Sequence, residues 1–351
     1  MSLLTSLTYK LIDAEGYEKT LYITDETSGL RAIICIHNTI LGPALGGTRM
    51  YPYANFEDAL SDVKRLARGM THKSALAGLP FGGGKSVIIG DPKKDKTQEL
   101  FLAFGEAVAS LDGTYICAED VGTTPADMAI IRSITPHVVG LSHETSSGDP
   151  SPFTAWGTYR GIQSVLQKIY GNPSVKGRHV AIQGLGAVGA RLAAQLFWEG
   201  AILTISDVLE ERTKNLSKTY GASIASPEEI LYTHCDVLAP CALGGIINQD
   251  TIPHLKCKAV AGSANNQLLQ DSDSFSLMER GILYAPDFII NAGGLINVSY
   301  EKIDGIYNAQ ASRDTIDALY DKLLHIYALA EEKSISTHAA ALEIVAKRLH
   351  G

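Results

Sequence analysis

RHVAIQGLGAVGARLAAQLFWEGAILTISD, residues 178–207, is the stretch that decides the fold. It reads as strand, glycine turn, helix, strand, and its turn Gly184-Leu-Gly186-Ala187-Val188-Gly189 matches G-x-G-x-x-G. The match is informative because it follows a strand and opens a helix. Gly184 permits the tight turn, Gly186 lets the backbone approach a pyrophosphate, and Gly189 lets helix and strand pack closely. The helix N-terminus offers unpaired N–H donors and partial positive charge to phosphates. Asp207 ends the next strand about 20 residues on. A carboxylate there can accept from the adenosine ribose hydroxyls and would repel a 2′-phosphate. No arginine follows directly in SDVLEE, so NAD is preferred over NADP. The plainer alternatives are a ligand-free glycine turn and a capping aspartate.

Working outward, residues 18–37 give two strand-like runs split by DETSG. Residues 56–71 read as a helix, with Ala59, Leu60, Val63, Leu66, Ala67 and Met70 at helical spacing. KSVIIGDP (85–92) reads as a buried strand closed by a turn, 99–111 as a helix and 114–118 as a strand. This alternation indicates a second α/β unit. SHETSSGDPSP (142–152), rich in Ser, Gly and Pro, is the linker candidate. Short apolar runs follow at 235–240, 258–262 and 281–286, and 337–349 reads as a helix capped by Thr337.

Hydrophobic residues make up 45% of the 351, which excludes disorder over most of the length. The net charge of −8 argues against nucleic acid or another polyanion as partner. Cys35, Cys117, Cys235, Cys241 and Cys257 include no Cys-x-x-Cys pair, which points to a reducing cytoplasm rather than a disulfide or zinc scaffold. MSLLTSLTYKLIDAEG lacks the basic start of a signal peptide. No apolar run approaches the ~18 residues of a membrane span, so no membrane partner is expected.

The first half holds two notable lysines. Lys73 follows the amphipathic helix, and Lys85 closes Gly82-Gly83-Gly84-Lys85. Three glycines suit a place where something approaches the backbone closely. The spacing is not that of a P-loop, because Leu79 stands where the first glycine is needed. A turn bringing Asp120, just after a strand, beside Lys85 would give a carboxylate–ammonium pair. Two lysines in one cleft would depress each other's pKa, so that one could act as a base near neutral pH. The alternative for each is a solvated surface charge. His72 reads as structural or solvated and Cys117 as a small packing residue. No cluster has metal-ligand spacing, and no metal is expected.

Several segments together resemble the amino-acid dehydrogenase family of glutamate, leucine, valine and phenylalanine dehydrogenases. They are GPALGGTRM (42–50), RGMTHKSALAGLPFGGGKSVIIGDP (68–92), AEDVGTTPADM (118–128), QGLGAVG (183–189), APCALGGIIN (239–248), GSANNQL (262–268) and APDFIINAGGLINV (285–298). The likeness covers almost the whole chain and is nearest to the leucine dehydrogenases. It implies an α/β protein of two domains with a cleft between them. An α/β substrate-binding and oligomerisation domain would span 1–141, and a doubly wound Rossmann NAD-binding domain 142–335. The terminal residues 336–351 are a candidate to return to the first. It also implies oxidative deamination, in which a 2-amino acid, NAD⁺ and water give a 2-oxo acid, ammonium and NADH.

By the same resemblance, Lys73 would hold the substrate carboxylate. Lys85 would activate the attacking water, and Asp120 would exchange protons with the amino group. Asn266 would contact the substrate or nicotinamide end, and Thr154, Cys241 and Ala261 would border the cofactor. The side-chain pocket maps to Leu45, Ala118, Leu295 and Val298. All are apolar, so a glutamate γ-carboxylate would be desolvated without a partner. Ala118 and the INV of 296–298 resemble the branched-chain enzymes, whereas Phe81 is similar to the aromatic-type ones and Leu295 departs from a common valine. The leading expectation is a branched-chain L-amino acid, with an aromatic amino acid as alternative. A non-catalytic NAD-binding regulatory protein is the alternative of another class. A homo-oligomer is expected. The chain stops soon after its last helix, so the octamer of the leucine enzymes is not carried over.

Overall fold

The computed structural model describes residues 7–141, 146–301 and 307–351. The first residues of the N-terminal segment read above, and 142–145 of the expected linker, lie outside these. Two compact units emerge: Met1–Asp149 with Val298–Ala309, and Pro150–Asn297 with Gln310–Gly351.

The first unit runs β1 (Thr8–Leu11), β2 (Lys19–Asp25), β3 (Leu30–Asn38), β4 (Ala44–Tyr51), α1 (Phe56–Ala77), β5 (Gly82–Ile89), α2 (Gln98–Ala109), β6 (Tyr115–Glu119), α3 (Pro125–Arg132). Its six strands lie in the order β1-β2-β3-β5-β4-β6. β4 runs parallel to both β5 and β6, while β3 is antiparallel to β5. Alternation along β3 sorts its side chains onto two covered faces. Ala32, Ile34 and Ile36 join a core with Leu100, Phe101, Phe104 and Met128 of α2 and α3. Ile33 and Cys35 join another with Ala59, Val63 and Ala67 of α1.

α1 begins where the spacing predicts, at Asn55, whose side chain accepts from the Asp58 N–H. It continues past Met70 and ends only at Gly78, left-handed at φ 84°. Lys73 therefore stands on the helix rather than after it. β5 starts at Gly82 and contains all three glycines. What approaches them is the protein itself. A Cβ on Gly83 would lie 2.1 Å from the Thr71 nitrogen of α1, and one on Gly82 would lie 2.0 Å from the Asn38 carbonyl oxygen.

The second unit opens with α4 (Ser151–Tyr170), β7 (His179–Gln183), α5 (Ala187–Trp198), β8 (Ile202–Ser206), α6 (Glu210–Tyr220) and β9 (Ser223–Ile224). It continues through β10 (Cys235–Pro240), β11 (Cys257–Val260), α7 (Asp273–Glu279), β12 (Leu283–Tyr284) and α8 (Asp287–Ile290). α9 (Gly293–Ser299) and α10 (Ala309–Asp317) each cross the division, and α11 (Leu319–Lys333) and α12 (Thr337–His350) complete the chain. The sheet is parallel throughout, in the order β12-β11-β10-β7-β8-β9. Read from β9, this is the doubly wound order whose direction reverses between β7 and β10. α12 is capped by Ser336 rather than Thr337; the Ser336 hydroxyl accepts from Ala339 N. α12 packs on α11, α7 and β12 and belongs to this second unit, not the first. Among the described residues no helix is long and apolar enough to cross a membrane.

The contact of α1 with β5 has no room for a methyl group. Gly83→Ala should cost about 3 kcal/mol or more, read as a lower urea midpoint at unchanged m-value.

Candidate active site

Register places the first set of residues on one face. Leu45 pairs with Gly83, Gly47 with Ala118, Arg49 with Val87, and Cys35 with Lys85. Val87 and Cys35 belong to the core under α1. Leu45, Gly47, Arg49, Lys85 and Ala118 therefore share the α1 side of the sheet. Leu45 and Ala118 are buried, as is Lys85. Asp120 follows β6 directly, its N–H bonded to the Thr123 hydroxyl at 2.9 Å.

At this edge Lys85 Nζ lies 2.8 Å from Asp120 Oδ2, and Arg49 Nε donates to the same oxygen at 3.2 Å. Burial alone would raise the Asp120 carboxyl. The charge of Lys85, and then that of Arg49, outweighs burial and brings it down to about 2. Gly47 is what gives the pair its space. A Cβ there would sit 2.9 Å from Asp120 Cβ and 3.1 Å from Lys85 Nζ. Lys73 is half-buried on α1, two residues beyond the Thr71 that meets Gly83. Cys117 points to the opposite core, and burial pushes its thiol up to about 12. His72 is half-buried, its ring 6.3 Å from that of His37.

In the second unit the marked residues gather at the carboxyl ends of the parallel strands, on both sides of the point where strand order reverses. Gly184 follows β7 at φ +92° and donates its N–H to Ser206 O at 2.7 Å. A Cβ on Gly189 would strike Gly184 O at 2.0 Å, whereas one on Gly186 would meet nothing within 4 Å. The glycines thus divide as their motif requires: one closes helix onto strand, and one leaves open backbone. Ala187 and Val188 form the first turn of α5, where Gly186 has no side chain to cap their N–H groups. Cys241 follows β10, its N–H bonded to Gln183 O at 2.7 Å, and the buried Ala261 follows β11. A phosphate-bearing dinucleotide fits this arrangement.

Asp207 follows β8. Its Oδ2 accepts the Leu185 N–H at 2.7 Å and its Oδ1 the Leu209 N–H at 2.9 Å. Burial would raise its carboxyl, but these two amides and Arg212 hold it below the usual range. Arg212 Nη1, on a half-exposed side chain, lies 3.4 Å from Oδ2. Thr154 lies in the first turn of α4, against the two glycines that open α9. A Cβ on Gly294 would sit 2.7 Å from its Oγ1. Asn266 adopts φ +51°, unusual outside glycine, held by its N–H bond to Asp287 Oδ2. Leu295 and Val298 are buried, three residues apart on α9.

Arg49 and Arg212 escape a reading of the sequence. Arg212 had a local signal, one residue beyond SDVLEE, because a strand end and the next first turn lie together. Arg49 had none, since its bond to Asp120 joins residues 71 apart in sequence. Among the described residues no group of three or more His, Cys, Asp or Glu is placed to hold a metal ion.

Comparison with known proteins reaches both units. The profile of the Glu/Leu/Phe/Val dehydrogenase dimerisation domain matches residues 19–137, and that of the glutamate/leucine/phenylalanine/valine dehydrogenases matches 205–348. The chain is 48% identical to the leucine dehydrogenase of Geobacillus stearothermophilus over 97% of its own length and 93% of that protein's. It is 47% identical to the phenylalanine dehydrogenase of Caldalkalibacillus thermarum, over 95% and 91%. The crystal structure of L-tryptophan dehydrogenase from Nostoc punctiforme superimposes with a TM-score of 0.82 at 40% identity, covering 95% of this chain and 96% of that one. Profiles matching 19–137 and 205–348, and relatives 47–48% identical over nearly the full length, make this chain a member of the Glu/Leu/Phe/Val amino-acid dehydrogenase family.

Proposed function

We propose that the enzyme catalyses NAD-dependent oxidative deamination of a branched-chain L-amino acid: leucine, valine or isoleucine. The products are the 2-oxo acid, ammonium, NADH and a proton. The observation that carries this is the Lys85–Asp120 pair on the same sheet face as the apolar Leu45 and Ala118. A charged substrate side chain would find no partner in Leu45 or Ala118, while a branched aliphatic one loses nothing by leaving water. Leu295 and Val298, also apolar, are assigned to the same side chain, and Asn266 to the polar end of the substrate.

The nicotinamide cofactor supplies the hydride acceptor. The remaining chemistry is assigned to side chains. Lys73 takes the substrate carboxylate. Asp120 accepts a proton from the ammonium group, because hydride leaves Cα readily only when the amine is neutral. Lys85, its own proton released to solvent, then orients and deprotonates the water that attacks the imine carbon, and the ammonium so formed stabilises the oxyanion that develops. An Asp120 carboxyl held at about 2 is a weak base. Proton acceptance therefore needs Lys85 to turn from Asp120 toward substrate or water. Gly184, Gly186, Ala187, Val188 and Gly189 are assigned to the pyrophosphate, Asp207 to the adenosine ribose, and Thr154, Cys241 and Ala261 to the walls of the cofactor site.

Asp207 supports NAD over NADP by repelling a 2′-phosphate, and Arg212 tempers that preference by its positive charge. A homo-oligomer is part of the same proposal. β1 is an exposed edge strand carrying the exposed Tyr9 and Leu11, which a second copy could cover.

The direct test is NADH formation at alkaline pH with leucine, valine, isoleucine, phenylalanine, tryptophan, glutamate and alanine. Turnover led by the three branched-chain substrates is the expected result; turnover led by phenylalanine or tryptophan replaces the substrate while keeping the chemistry. Asp207→Ala should raise kcat/KM for NADP at least about fivefold, the size of one removed repulsion of ~1 kcal/mol. Unchanged preference would show that Asp207 does not read the ribose. Gly47→Ala should push Lys85 and Asp120 apart and lower kcat by about tenfold or more, with NADH binding by fluorescence unchanged.

A further inference from the structure

Arg49 lies outside the roles assigned above, yet it touches one of their central atoms. Its Nε donates to Asp120 Oδ2 at 3.2 Å, the oxygen that also meets Lys85 Nζ. Its Nη1 donates to Asp62 Oδ2 of α1 at 2.8 Å. That second carboxylate also accepts the Tyr53 hydroxyl at 2.5 Å. Burial, followed by Asp62, pushes the Tyr53 hydroxyl well above its usual range, so it remains a donor. The side chains of Arg49, Asp62 and Asp120 are each between a fifth and about a quarter exposed. They are shielded enough for charge to act strongly and open enough to answer a substrate.

We propose that Arg49 is a positioning residue that sets the proton affinity of Asp120, with Asp62 and Tyr53 fixing how much of its charge Asp120 receives. The inference rests on the reading of Asp120 as the proton acceptor. Once Lys85 turns to substrate or water, Arg49 is the cation still bonded to the carboxylate. Its guanidinium is always charged and forked, so it can hold two carboxylates at once. Asp62 competes for that charge, and the Tyr53 hydroxyl weakens the competition by sharing Asp62's oxygen. Among the described residues, three other titratable groups act on Asp120 or feel its charge. Lys85 comes from β5. Glu119 comes from β6, its own carboxyl raised by burial, by Asp149 and by Asp120. Tyr115 is fully buried in the core under α2 and α3 and stays neutral.

The sign of each substitution follows. Removing the Arg49 charge makes Asp120 a stronger base and raises the acid-side limb of the kcat/KM–pH profile. Removing the Asp62 charge leaves Arg49 wholly to Asp120 and lowers that limb. Lys85 lies 2.8 Å from Asp120, so each change of charge acts on both in the same direction and the sign of the shift is unaffected.

The experiment is the pH profile of leucine oxidation with NAD for the full-length enzyme and for Arg49→Gln, Arg49→Lys, Asp62→Asn and Asp120→Asn. Arg49→Gln should raise the limb by about one pH unit and Asp62→Asn should lower it. Arg49→Lys keeps the charge and loses the fork, so it should return the limb toward its original position with only part of kcat recovered. An Arg49→Gln enzyme with reduced kcat and an unmoved limb overturns the proposal, as does an Asp62→Asn limb that moves upward. If Arg49→Gln does not fold, the direction of the Asp62→Asn shift decides alone. Asp120→Asn separates the two levels of the argument. Loss of turnover keeps Asp120 as proton acceptor whatever Arg49 does, and retained turnover removes Asp120 and Arg49 together.

Discussion

The first unit depends on a steric constraint: β4 must run between β5 and β6 with almost no side-chain bulk at its middle. Gly46 faces the Gly84 carbonyl so closely that a Cβ would lie 1.8 Å from that oxygen, and Gly47 faces the Lys85–Asp120 pair. Two consecutive glycines in a strand cost backbone entropy, roughly 0.5–1 kcal/mol each relative to alanine. The sheet tolerates that cost because both of its faces are covered by apolar residues. In return, three parallel strands lie near enough for charges on β4, on β5 and just after β6 to meet at one oxygen atom.

Charge balance is the second condition. Lys85, Arg49, Asp120 and Asp62 are two cations and two anions joined by contacts of 2.8–3.2 Å. Taken singly, each would be expensive to shield from water; joined, each compensates its neighbour. The arrangement also stores a latent base. Asp120 is held at about 2 while its two cations are in place, and it gains basicity as Lys85 departs. The nucleotide half works differently. The residues proposed for the nucleotide there are mostly backbone: strand ends, a helix start and glycines that either close a gap or leave one.

That difference explains how much could be read in advance. The turn at 184–189, Asp207 and the strands of residues 18–37 were legible because strand, turn and helix there are local, and their spacing alone implies the geometry. β4 was not legible, since Ala44-Leu-Gly-Gly-Thr-Arg has neither alternation nor a β-branched run. The end of α1 was misjudged because Thr71, His72 and Ser74 weaken its apolar spacing, although the helix continues against β5 to Gly78. The run Gly82–Gly84 was correctly marked as a place of close approach, but sequence cannot say what approaches, and it is α1, the end of β3 and Tyr115. Lys85 and Asp120 stood out by residue type, whereas Arg49 needed the pairing of strands before it could be seen. The C-terminal helix shows the same limit: its existence was legible, but not the unit it joins.

The length of α1 has one more consequence. Asp62 and Lys73 are about three helical turns apart, roughly 16 Å along the axis, which brings them nearly onto one side of the same helix. Between them, Thr71 is wedged against Gly83, and Ala59, Val63, Ala67, Ser74 and Ala75 are buried along the same helix, so α1 is a stiff spacer held along its length. The lysine assigned to the substrate carboxylate and the aspartate bonded to Arg49 are therefore held at a fixed separation by one helix.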